Sequence, residues 1–144
     1  MYSSLKAQYA VLVALRAAFD SERTWRRETA KALKLTETDI SGLFAVLTTE
    51  PCTPGDFQKQ TGLTSGAATT AIDRLEKLGY LKRQVSKTDR RRIHLVPIAK
   101  KMTRVTNSLE KRAQQFLDIT EQFGLEELAI LRRFLGGIVH LNEK

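Results

Sequence analysis

The sequence holds one cysteine, Cys52, and only two histidines, His94 and His140, in 144 residues. A single thiol excludes an internal disulfide framework and any cysteine-based zinc site. Two histidines so far apart, with no cysteine partners, make no metal site. No apolar run approaches the ~20 residues of a membrane span. Met1-Tyr2-Ser3-Ser4-Leu5-Lys6 lacks a basic segment leading into an apolar one, so no secretion signal is expected and the chain is read as cytoplasmic. Phosphate-loop, G-x-S-x-G and H-E-x-x-H patterns are missing, and no acid/base cluster stands out. No catalytic residue, cofactor or metal is therefore expected.

Positive charge is what the sequence does have. Lys and Arg number 24 against 16 Asp and Glu, a formal net charge of +8. That balance favours a polyanionic partner, either nucleic acid or an anionic membrane surface. The charge is not spread evenly. Residues 1–52 carry +1, residues 53–81 are neutral, and residues 93–144 carry +2. The eleven residues 82–92 hold the remaining +5. No helical segment shows a basic amphipathic face to match them, which weighs against a membrane partner.

The periodicities describe a mainly α chain with a small β-hairpin. Leu5, Tyr9, Leu12, Leu15 and Phe19 fall on one helix face. The pattern weakens at Asp20-Ser21-Glu22-Arg23 and resumes toward Leu33, leaving one long helix or two. Thr36 with Asp39 reads as a weak capping box for a helix burying Ile40, Leu43, Val46 and Leu47. Thr53-Pro54-Gly55-Asp56 supplies an N-cap hydroxyl, a first-turn proline and a first-turn carboxylate. The short helix it opens ends at Thr61-Gly62. Thr64 or Ser65 caps the next, whose inward face is Ala68, Ile72, Leu75 and Leu78, and Gly79 stops it. Two short helices across a glycine turn form a helix-turn-helix.

After Gly79 the period changes to that of strands. Tyr80–Val85 and Arg91–Val96 flank a polar turn, with Ile93 and Leu95 on a buried face alternating with Arg92 and His94. A hairpin directly behind a helix-turn-helix is a wing. Helical spacing returns at Ile98, Met102, Val105, Leu109, Ala113, Phe116 and Phe123, then again at Leu128, Leu131, Leu135 and Ile138.

This order of elements resembles the MarR family of winged helix-turn-helix regulators. Gly62-Leu63-Thr64-Ser65-Gly66-Ala67-Ala68-Thr69-Thr70-Ala71-Ile72-Asp73-Arg74-Leu75-Glu76-Lys77-Leu78-Gly79-Tyr80 is similar to the family's recognition helix. Thr88-Asp89-Arg90-Arg91-Arg92 is similar to its Asp-Arg-Arg wing signature. The sequence departs from the family at Leu95-Val96-Pro97-Ile98-Ala99, where Leu-Thr and a following Gly are usual. The resemblance implies a winged lobe over residues 35–96, between dimerisation helices at 1–34 and 97–144.

The expected partner is double-stranded DNA, bound at a pseudo-palindromic operator by a homodimer acting as a repressor. Ser65, Gly66, Thr69, Thr70, Asp73 and Arg74 would face the DNA from the recognition helix, with Arg74 on phosphate. Arg83, Lys87, Asp89, Arg90, Arg91 and Arg92 would act from the wing, Asp89 orienting one arginine as the resemblance implies. Phe19 and Trp25 are candidates for lining a pocket for a small-molecule effector. Cys52 reads as a small loop residue, with redox sensing as the sharper option. The rival to DNA binding is a winged module that holds other proteins in an assembly.

Overall fold

The computed structural model describes residues 2–142. Six α-helices, one hairpin and a closing 3-10 turn run in the order α1 (Tyr2–Leu33), α2 (Glu37–Thr48), α3 (Pro54–Thr61), α4 (Ser65–Lys77), β1 (Leu81–Val85), β2 (Ile93–Pro97), α5 (Ala99–Thr120), α6 (Leu125–Val139) and His140–Asn142. Two compact units divide the chain between Val105 and Thr106. No described helix is long and apolar enough to cross a membrane.

The stretch up to Leu33 is one continuous helix of 32 residues. Polar residues at Asp20–Arg23 interrupt the apolar stripe but contain neither Gly nor Pro, so nothing in the backbone breaks there. Thr36 and Asp39 close a full capping box, each side chain accepting the other's backbone N–H. Aspartate therefore serves here where glutamate is usual. Thr53 and Asp56 do the same for α3, and Gly62 ends that helix with φ +67°, a left-handed conformation that suits glycine.

The core of the first unit is small and dense. Ile40, Leu43, Phe57, Ile72, Leu75, Leu81 and Val105 are all but inaccessible. Gly42 permits the α2–α3 crossing: a Cβ there would lie 2.1 Å from the Phe57 ring. With Phe57 fully enclosed, Gly42→Ala must displace the ring or the helix. It is expected to cost about 2–3 kcal/mol by urea denaturation, the upper range for overpacking.

The hairpin is antiparallel, with Leu81 opposite Pro97 and Val85 opposite Ile93. Cys52 adds a partial third rung, its carbonyl accepting the Leu95 N–H at 2.8 Å. Leu95 is buried as expected, but Ile93 is 41% exposed and Leu78 44% exposed. Both stand where the lobe's core has run out, Ile93 at the outer end of the wing and Leu78 at the cap of α4. Pro97 closes β2 and the next helix begins only at Ala99, with Ile98 between them donating its N–H to Tyr80.

Candidate nucleic-acid interface

α3 and α4 form the helix-turn-helix. Ala68, Ala71, Ile72 and Leu75 hold α4 against the core. Its opposite face leaves Ser65, Gly66, Ala67, Thr69, Thr70 and Asp73 exposed. The threonine hydroxyls donate back into the helix, Thr69 to the Ser65 carbonyl at 3.0 Å and Thr70 to the Gly66 carbonyl at 3.1 Å.

The charged residues of α4 are braced from two sides. Arg74 reaches across to α2 and pairs with Asp39, whose side chain is 2% exposed. The other Asp39 oxygen accepts the Thr36 N–H at 2.9 Å, so one buried carboxylate both caps α2 and holds α4. On the far side Arg83 of β1 bridges Asp73 at 2.6 Å and Glu76 at 2.5 Å. Glu76 also accepts the Arg83 backbone N–H at 2.8 Å. Burial opposes the Arg83 charge, but its bonds to Asp73 and Glu76 outweigh that and hold its pKa above the ordinary value. The wing's first strand is thus clamped to the helix in front of it.

The clamp has a pH dependence. The Glu76 carboxyl is held below its ordinary value of 4.5, first by the Arg83 backbone N–H and then by its guanidinium. A depressed carboxylate stabilises the fold above its unfolded pKa and loses that contribution as pH falls through the folded one. Arg83→Met should therefore loosen the wing at pH 7, seen as faster amide exchange across Leu81–Val85. Wild type should show the same loosening only below about pH 4.5.

The wing turn is ordered by its own polar groups. The buried Ser86 accepts the N–H groups of Thr88 and Asp89 at 3.3 Å, and Asp89 accepts that of Arg91 at 3.0 Å. The second Asp89 oxygen lies 3.5 Å from Arg92 Nε, a single contact with the one arginine it engages. Lys87, Arg90 and Arg91 are exposed, and no ion pair engages their side chains among the described residues. The +5 segment thus has three cations free at its tip while Arg83 and Arg92 are partly committed.

The winged-helix model that matches residues 35–93 is that of the MarR family. An uncharacterised HTH-type transcriptional regulator of Bacillus subtilis, YcgE, is 31% identical over 115 residues, covering 80% of this chain and 75% of that one. The chain belongs to the MarR family. Solved members share its fold: a MarR family protein from Bacillus stearothermophilus superposes with a TM-score of 0.68 at 22% identity, covering 100% of this chain and 99% of that one. A MepR variant from S. aureus, bound to an oligodeoxyribonucleotide, does so at 0.57 and 16% identity, covering 91% and 95%. MarR proteins are DNA-binding transcriptional regulators and not enzymes.

Several expected residues have other partners in this MarR chain. Arg74 and Asp73 are held by Asp39 and Arg83, and Asp39 and Glu76 are thereby added to the candidate residues. Phe19 and Trp25 are not brought together. Six helical steps place them about 120° apart around α1. Trp25 stacks on Phe44 with centroids 5.9 Å apart, while Phe19 is 54% exposed. Cys52 is buried, and desolvation followed by the Asp56 charge pushes its thiol up to about 11. A thiol held that high is mostly protonated at neutral pH, which weighs against redox sensing.

Proposed function

We propose that this MarR protein is a homodimeric, sequence-specific repressor that places α4 in the major groove and the wing on the flanking backbone. The observation that carries the reading is the pairing of a neutral exposed helix face with a tip bearing Lys87, Arg90 and Arg91 unpaired. Small side chains on α4 suit base edges, and unpaired arginines suit phosphates and a narrow minor groove. Occupancy of a promoter by such a protein blocks transcription, and response to a small molecule is part of the proposal. Trp25, the one tryptophan, would report effector binding by its fluorescence.

Exposed apolar surface on the chain supports the dimer reading. Leu5, Tyr9, Leu12 and Phe19 of α1 are exposed, as are Leu125, Ile130, Phe134 and Val139 of α6. Apolar stripes of that extent mark interfaces, and a second copy of the chain is the occupant proposed for them. A dimer in turn supports half-sites about 10 bp apart on a pseudo-palindromic operator. Sedimentation at micromolar concentration tests this, with a species of twice the 16.3 kDa chain mass expected and a monomer contradicting it. Selection of bound fragments from the source genome tests the DNA reading, since a protein-docking module would enrich none.

A further inference from the structure

We propose that the α4 face selects A·T pairs, through thymine methyls and base amino groups, and makes no two-point contact with guanine. This rests on the DNA-binding reading above and names what that site reads. Guanine offers N7 and O6 acceptors to the major groove, and its usual partner is a long bidentate donor. α4 has no such donor to spare near its N-terminus, where a recognition helix meets base edges. Arg74 is drawn to the α2 side by Asp39, and leaving it would strand a carboxylate that is 2% exposed. Lys77 lies about 18 Å along the axis from Ser65. Asp73 is an acceptor and is already engaged by Arg83.

The remaining groups have a definite chemistry. With the Thr69 and Thr70 hydroxyls donating to helix carbonyls, their outward lone pairs are placed to accept. An acceptor in the major groove meets the amino group of adenine N6 or cytosine N4. Their γ-methyls and the exposed Ala67 offer apolar contact, which only the thymine C5-methyl answers. Gly66 has no heavy atom within 4 Å of where a Cβ would stand, so bases can approach the helix closely there. Ser65 has a single rotatable hydroxyl and cannot span N7 and O6 together. Adenine amino group and thymine methyl belong to one base pair.

The test uses the full chain and a selected genomic duplex in three forms: unmodified, thymine replaced by deoxyuridine, and guanine replaced by 7-deazaguanine. Fluorescence anisotropy should show deoxyuridine weakening binding about fourfold per contacted methyl. The 7-deaza form should bind within about twofold of the unmodified duplex. A serine variant, Thr69→Ser with Thr70→Ser and Ala67→Gly, removes the three protein methyls and should abolish the deoxyuridine penalty. A larger 7-deaza penalty, a neutral deoxyuridine form, or a deoxyuridine penalty that persists in the serine variant would each overturn the inference while leaving DNA binding intact. Failure to bind any selected duplex would overturn the functional reading as well.

Discussion

Replacing Arg90 and Arg91 together by alanine is expected to weaken binding about 30-fold at low salt, on selected and random duplexes alike, at roughly 1 kcal/mol per exposed phosphate contact. Both guanidinium groups sit exposed on a turn that Ser86 and Asp89 hold in shape, and neither has an ion-pair partner among the described residues. Nothing in the fold needs them, so thermal stability should not change. Each lost phosphate contact lowers the slope of log affinity against log salt by about 0.9, so the double variant should lose nearly two units of slope. Its penalty should therefore shrink about tenfold between 50 and 200 mM salt. A constant penalty would move these arginines from phosphates to bases.

Asp39→Ala is expected to cost about 2–4 kcal/mol of stability, the sum of a lost cap and a broken ion pair. The residue is the joint between two helices: one oxygen accepts the Thr36 N–H and the other meets Arg74. Asp39→Asn separates these roles, since an amide oxygen can still accept the cap hydrogen bond while the charge is gone. It should fall about halfway between wild type and alanine. The Arg74 end is half exposed, which limits what the ion pair alone contributes. If α4 is held by this joint, Arg74→Met should also reduce preference for the selected duplex more than affinity for random DNA. Urea titration and anisotropy on the same samples separate the two losses.

Features set by adjacent residues were readable in the sequence. Thr53-Pro54-Gly55-Asp56 states a helix start in four positions, and all its parts act as expected. The hairpin and both helix-turn-helix elements follow from changes of period that no distant contact alters. Exposure of Leu78 and Ile93 was not readable, because their faces are right and only the extent of the neighbouring core decides burial. The partners of Arg74 and Arg83 were hidden for a related reason. Asp39 lies 35 positions from Arg74, and no local pattern links them. Arg83 lies only seven from Glu76, yet a helix end and a turn intervene and set where each side chain points. Charge counting placed the wing correctly but treated its cations as equivalent. The structure divides them into a clamp at Arg83 and free groups at Lys87, Arg90 and Arg91.

The proposed recognition divides between a neutral helix that discriminates and a basic wing that holds. An anisotropy titration of the wild-type chain on a selected genomic duplex and on a scrambled duplex of equal length, repeated from about 50 to 200 mM salt, tests both parts together. The selected duplex should bind at least about a thousandfold more tightly, and both affinities should fall steeply with salt. Equal affinity for the two duplexes, or binding that ignores salt, would contradict it.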